Sequence, residues 1–316
     1  MADDAPPDLA SEAGFELLHV RSPALRVPLP GGGAESGPWE SVRWTEDGIP
    51  ILLTDPDRYL ERVGDDVSLP LDALSFPALA HLSRYLPQLV APNTPMRRAI
   101  RGALERHLDG RVGLAVELGC SVGPDLRTLR MFAREVIGID LSIAALRAAR
   151  AQLDGEVVPL LARVEGRSFR SEDPICLLPM DGITVAVGNA LDPPLFPGVA
   201  DVVASVNVLD SVRSPVNLVG QMDSTLKPGG LLIIASPFCW ADDFTPPEEA
   251  LGGGTIEGFA SLGTADALVE LLSGRLPILS HLDYEILEQS DVPWSLRDHA
   301  RSVTSYDVHV LVARKR

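Results

Sequence analysis

Two stretches of the chain, about twenty residues apart, hold the residue types that grip a small nucleoside-like ligand. The first is Val116-Glu117-Leu118-Gly119-Cys120-Ser121-Val122-Gly123-Pro124. Gly119 and Gly123 permit backbone conformations and close approaches that a Cβ would block. A helix starting near Pro124 would aim unpaired N–H groups and a positive dipole end at an anionic group. The second stretch, Ile137-Gly138-Ile139-Asp140-Leu141, ends an apolar run with a carboxylate. Open α/β sheets hold ribose hydroxyls at that place.

Two cofactor classes use such a cradle. A nicotinamide reader needs glycines at positions 119, 121 and 124, but Ser121 and Pro124 stand at two of them. The spacing present, an acidic residue two before a glycine and another glycine four after it, resembles the class I S-adenosylmethionine-dependent methyltransferases. The run Ala186-Val187-Gly188-Asn189-Ala190-Leu191 and the turn Leu226-Lys227-Pro228-Gly229-Gly230 agree with that resemblance. It implies S-adenosylmethionine as cofactor, with Glu117, Gly119, Cys120, Ser121, Gly123, Asp140, Leu141, Asn189 and Ala190 as its binding residues. Asn189 would offer its carbonyl to the adenine amine.

The acceptor side is carried by Asn207-Val208-Leu209-Asp210, Ser236-Pro237-Phe238-Cys239-Trp240, Leu251-Gly252-Gly253, Val292-Pro293-Trp294 and Leu296-Arg297-Asp298-His299. From about residue 90 onward these resemble the methyltransferase domain that N-methylates a thiol-bearing histidine in ovothiol biosynthesis, and other histidine N-methyltransferases. The resemblance implies that Asn207 and Asp210 are catalytic and hold an imidazole, with Phe238 and Trp240 as further acceptor-binding residues. A carboxylate that accepts N–H from one ring nitrogen fixes the tautomer and frees the other nitrogen for the methyl group. The chain departs from the family at Ser211, where Arg is usual, at Phe238 for Tyr, at Ala250 for Trp and at Pro124 for Arg. One of Arg97, Arg98 or Arg101 is the expected substitute for that last cation. The acceptor is therefore expected to be a small molecule or peptide with a methylatable nitrogen, not necessarily histidine. The rival reading is a catalytically silent, methyltransferase-like subunit that binds a protein partner through residues 15–55.

These residues need a scaffold. Apolar runs at Val112–Leu118, Val136–Ile139, Ile183–Val187, Val199–Val206, Leu231–Ala235, Tyr284–Leu287 and Val308–Val312 alternate with helical segments. Near-continuous apolar strands of this kind are buried on both faces. The expectation is an α/β, Rossmann-like class I methyltransferase fold over residues 111–316, with a seven-stranded, mostly parallel sheet closed by an antiparallel C-terminal hairpin. Thr94 and Pro95 open a helix whose apolar face is Met96, Ala99, Ile100, Ala103, Leu104 and Leu108. It ends a helical linker or lid at 61–110. Residues 1–13 are expected to be a disordered tail, and 14–60 a small β-rich appendage. That appendage, ending in Asp47-Gly48-Ile49-Pro50-Ile51-Leu52-Leu53, resembles a zinc ribbon stripped of its cysteine pairs, so no metal is expected. Residues 156–180 read as an inserted hairpin.

Composition narrows the partners. The 316 residues carry 27 Lys+Arg against 44 Asp+Glu, a net charge of −17. Such an excess repels phosphate backbones and anionic lipid, so neither nucleic acid nor membrane is expected as partner. The first residues hold acids and no apolar signal core, and no long apolar window follows. Cys120, Cys176 and Cys239 are spaced neither for a metal nor for a disulfide framework, and a reducing, cytoplasmic setting is expected. The histidines show no metal-like spacing.

Overall fold

A computed structural model describes residues 21–22, 27–28, 42–253 and 259–316 of the chain. The expected tail, the run Phe15–Val20 and the glycine loop at 31–33 lie outside the described residues. A short antiparallel pair, β1 (Arg21–Ser22) and β2 (Val27–Pro28), precedes β3 (Arg43–Trp44) and β4 (Pro50–Ile51). Three helices follow, α1 (Pro56–Val63), α2 (Phe76–Tyr85) and α3 (Pro95–His107). The alternating part then begins with β5 (Val112–Leu118), α4 (Leu126–Phe132), β6 (Ala133–Asp140) and α5 (Ile143–Leu153). A separate two-stranded sheet comes next, β7 (Val158–Glu165) with β8 (Ser168–Ile175), and it is the inserted hairpin that the sequence predicts. The chain continues through β9 (Ile183–Val187), β10 (Ala200–Val206), α6 (Pro215–Thr225), β11 (Leu226–Ser236), α7 (Thr264–Leu272), β12 (Tyr284–His299) and β13 (Ser302–Lys315).

All seven predicted strands are present in one sheet, ordered β12-β13-β11-β10-β5-β6-β9-β4-β3. The five central strands from β11 to β9 run parallel, and β13 returns antiparallel against β11. Val116 of β5 stands between Val203 of β10 and Ile137 of β6, all three buried. Both faces are covered. Leu114, Val116 and Leu118 pack in one cluster with Leu218, Met222 and Leu268, while Ala115, Val136 and Val185 pack in another with Ile100, Leu104 and Leu146. Strands buried this way need the unbroken Val/Ile/Leu runs seen in the sequence.

The sheet departs from expectation at both edges. It has nine strands rather than seven, because Ile51 of β4 pairs in parallel with Val187 and β3 pairs with β4. Residues 43–51 are thus the outer edge of the central sheet and not an appendage of their own. Ile49, Ile51 and Leu52 are each at most 2% exposed, and the apolar run that reads as a hairpin finds more to cover on the sheet than alone. At the other edge, β12 and β13 are 16 and 14 residues long, far beyond the predicted runs. Their distal half carries Trp294 and Leu296 inward, both buried, and its tip meets the insertion, where the Ala300 N–H is shared between the carbonyls of Arg163 and Val164.

Between β5 and β10 the strand order reverses: β6 and β9 lie on one side of β5, and β10 and β11 on the other. Open α/β sheets bind ligands in the crevice this reversal leaves at their carboxyl edge.

Candidate active site

The turn after β5 is pinned before any ligand arrives. The N–H groups of Gly119 and Cys120 both donate to the carbonyl of Ile139, at 2.7 and 3.1 Å, tying the turn to the end of β6. Gly119 has φ +84°, and a Cβ there would lie 2.2 Å from a methyl of Val208. Glycine is required on both counts. Ser121 adopts φ +49° and donates its N–H to Asp140 Oδ2 at 2.8 Å. The other oxygen of Asp140 accepts from Ser142 N–H at 2.7 Å. Each oxygen keeps a lone pair for a further donor. Gly123 closes the turn through its N–H to the Cys120 carbonyl and packs against Leu126, so its part is architectural. The following helix starts at Leu126, two residues beyond the expected Pro124, and Asp125 faces Arg97 instead of capping it.

A cavity of about 790 Å³ opens over this turn, lined among others by Gly119, Ser121, Asp140, Leu141, Asn189, Ala190, Asn207 and Asp210. Leu141 is 42% exposed, although its backbone carbonyl is held by the Tyr59 hydroxyl at 2.7 Å. A fixed backbone carrying a bare apolar side chain suits a flat apolar ring system. Asn189 Oδ1 accepts from Leu191 N–H at 3.0 Å, so part of its carbonyl capacity is already used locally.

Glu117 and Cys120 lie on a smaller pocket of about 40 Å³ next to the cavity, together with Arg97, Asp125, Asn207 and Trp294. Five buried polar atoms around it have no hydrogen-bond partner: Glu117 Oε2, Asp125 Oδ1, Arg97 Nε, Asn207 Oδ1 and Trp294 Nε1. Arg97 Nε and Asp125 Oδ1 face each other as an ion pair at 3.3 Å without hydrogen-bond geometry. Burial pushes the Glu117 carboxyl well above the usual range, Asp125 and Asp140 add to the rise, and Arg97 opposes it. Burial also raises Asp125, against the pull of Arg97, and lifts the Cys120 thiol well above its usual value. Native proteins leave few such atoms unpaired, so a cluster of them marks a place built for a polar ligand group. Of the three candidate arginines, Arg97 is the one on this pocket, its Nη1 held by the Ala91 carbonyl at 2.7 Å. Arg98 and Arg101 turn to Asn93 at the surface.

Beside the glycine turn, the residue after β10 is Asn207, at φ +57°. Its N–H donates to the Ala235 carbonyl, and its amide nitrogen reaches only the sulfur of Met96, at 3.8 Å. Asp210 sits in a single 3-10 turn (Leu209–Ser211), 4% exposed, and accepts the Cys239 N–H at 2.7 Å. It does not cap α6, since Ser214 does that itself. Phe238 and Trp240, expected on the acceptor wall, are not among the residues lining the cavity. Both have positive φ, +54° and +42°, so that Pro237, Cys239 and Ala241 line the wall instead. The two rings stack at 6.3 Å, and Trp240 Nε1 donates to Thr264 Oγ1. Trp294, by contrast, lines the cavity, its ring tilted by 31° against that of Tyr306 with centroids 5.4 Å apart.

One further wall of the cavity comes from elements outside the expected site. His81, Arg84 and Tyr85 of α2 and Tyr306 of β13 line the cavity. The spacing of His81 and Tyr85, one helical turn apart, was the available signal.

Residues 116–234 match the family described as a methyltransferase domain. The match covers less than half of the chain, and the fold there is a Rossmann-like methyltransferase fold. The cofactor of such a domain is S-adenosylmethionine, and the cradle fits it. A paired carboxyl and guanidinium suit an amino-acid end, Asp140 suits ribose hydroxyls, and Leu141 suits an adenine face. A curated relative, an uncharacterized 37.1 kDa protein in transposon TN4556 of Streptomyces fradiae, is 27% identical over 157 residues, which are 48% of this chain. The match spans 38% of that protein's length. Among solved structures, a methyltransferase of Methanosarcina mazei described as S-adenosylmethionine-dependent shares 18% identity at TM-score 0.44, over 67% of this chain and 96% of that one. The N-methyltransferase NodS of Bradyrhizobium japonicum WM9 shares 16% at TM-score 0.42, over 71% and 89%. A putative methyltransferase of Haloferax volcanii in complex with the Trm112 activator shares 16% at TM-score 0.43, over 68% and 88%. Among the described residues no group of side chains is arranged to hold a metal ion, and no helix is long and apolar enough to cross a membrane.

Proposed function

We propose that the protein is an S-adenosylmethionine-dependent N-methyltransferase acting on a nitrogen, an imidazole nitrogen included, of a small molecule or peptide. The observation that carries this reading is the pair Asn207 and Asp210, which line the same cavity as the glycine turn just after the neighbouring strand β10, with a buried, unpartnered carbonyl on Asn207. When bound, the cofactor supplies an electrophilic methyl group on a sulfonium. Asp210 keeps one oxygen for an acceptor N–H after its bond to Cys239. A carboxylate there orients the acceptor and selects the tautomer whose free lone pair faces the methyl donor. The Asn207 carbonyl is left to accept an N–H from another part of the acceptor, since a neutral imidazole has only the one that Asp210 takes. With no strong acid or base needed for a neutral nucleophile, alignment of nitrogen, methyl carbon and sulfur supplies most of the rate.

The test is methyl transfer from isotopically labelled cofactor into a host metabolite and peptide extract, read by mass spectrometry. The expected product is labelled on nitrogen. Asp210→Asn should retain cofactor affinity and lose about 10²-fold in turnover. Labelling on oxygen or carbon alone, or full turnover in Asp210→Asn, defeats the reading.

A further inference from the structure

His81 lies outside the segment that matches the methyltransferase family, and no step above uses it. It stands on α2, the helix that roofs the cavity, with Nε2 at 3.2 Å from Ser121 Oγ. Its ring lies against that of Tyr85, with centroids 4.5 Å apart and planes tilted by 31°. Ser121 is the central residue of the cofactor turn and the one non-glycine residue of that turn in the left-handed region, at φ +49°. Such a conformation is strained for a residue with a Cβ and persists where surrounding contacts over-determine it. Two contacts do so here: the backbone N–H is held by Asp140, and the hydroxyl by His81. The helix that brings His81 in is itself braced at both ends. Phe76 lies under the guanidinium groups of Arg163 and Arg167, at 5.1 and 4.5 Å from its ring centre, and Arg84 pairs with Asp298 at 2.9 Å.

We propose that His81 is a positioning residue of the cofactor site, whose ring nitrogen holds the Ser121 hydroxyl and so couples the roof helix to the turn that grips S-adenosylmethionine. The inference rests on the cofactor reading above. A neutral ring can either accept from or donate to the hydroxyl, and burial keeps it neutral. Asp140 on β6 works against that effect and Arg84 on its own helix with it. Tyr306 and Asp210 approach the same space, acting on Tyr85.

The probe is S-adenosylhomocysteine, titrated calorimetrically into the full chain and three variants. His81→Phe preserves a flat ring against Tyr85 and removes the nitrogen; it is expected to raise Kd about five- to tenfold, the range of one neutral hydrogen bond. His81→Gln, which restores a polar nitrogen, should bind within about threefold of the parent. Ser121→Ala should match His81→Phe, and the two together should be no worse than either alone, because both remove the same contact. Unfolding midpoints of the variants check that each is folded, and Ser121→Ala tests the contact by itself if a His81 variant does not fold. Parent-like affinity in His81→Phe, or additive losses in the double variant, overturns the proposal and leaves the cofactor reading standing. A parent chain that binds no probe at all overturns both.

Discussion

Glu117 is buried, carries an oxygen without a partner, and faces Asp125 and Asp140 as like charges. Its carboxyl ionises near the usual value in the unfolded chain and well above it in the folded one. Between those two points the folded chain holds more protons, so stability falls as pH rises through that window. Glu117→Gln removes this slope. Denaturant titrations should therefore show the variant close to the parent near pH 4 and more stable by about 1 kcal/mol at pH 8. The same variant should bind S-adenosylhomocysteine at least tenfold more weakly, since a ligand ammonium beside Glu117 would draw off its proton and meet a carboxylate that Gln cannot supply. A constant stability difference across pH would show that the acid is not held neutral by its surroundings. Residues of this kind are legible in sequence because a turn with Gly119 and Gly123 and a strand ending in Asp140 specify each other within a few positions. The places of His81, Tyr85 and Tyr306 were not: a spacing of one turn puts His81 and Tyr85 on one face of a helix, but how far that helix and a long hairpin reach over the cavity is recorded by no local pattern.

The roof shows the same division among elements. Helix α3 is fully specified by Thr94, whose Oγ1 accepts the Arg97 N–H at 3.3 Å, by Pro95 in its first turn and by its apolar face. The inserted hairpin was readable from the turn at Gly166 and the runs flanking it, but its task was not. It supplies Arg163 and Arg167 to Phe76 at the start of α2, and the carbonyls of Arg163 and Val164 to the tip of the β12–β13 hairpin. Removing one ring from that brace should loosen α2 while leaving the sheet intact. Phe76→Ala is expected to speed amide exchange in residues 76–85 at least tenfold, with β5 and β10 unchanged, and to weaken cofactor binding about threefold. Exchange that rises evenly over the whole chain would mean that the insertion supports the core and not the roof. The distal half of β12 escaped the sequence reading for a physical reason: past Leu287 one face is solvated, so charged residues such as Glu288, Asp291 and Arg297 interrupt the apolar run that marks a strand buried on both sides.

At the scale of the whole molecule, the segment before residue 111 and the methyltransferase sheet share one interior. β3 and β4 extend the sheet beyond β9, Asp47 pairs with the buried Arg147 of α5, and the Tyr59 hydroxyl joins the carbonyl of Leu141 to the N–H of Ile143. α3 lays Met96, Ile100, Ala103 and Leu104 on one face of the sheet, all at most 6% exposed. Burying a large aliphatic side chain stabilises by roughly 1.5–3 kcal/mol, so Ile49, Ile51, Leu52, Met96, Ile100 and Leu104 together contribute at least about 9 kcal/mol. That is comparable with the roughly 5–15 kcal/mol by which a whole domain is stable. A chain of residues 111–316, although it contains the complete family match, should therefore lack a cooperative thermal transition and bind an apolar dye, whereas the full chain melts in one step. It should also lose cofactor binding, because Arg97 on α3 and His81 on α2 go with the missing segment. Were that shorter chain to melt cooperatively and bind S-adenosylhomocysteine like the full one, the first hundred residues would be an accessory covering, and the cofactor site would be complete within the sheet and its own helices.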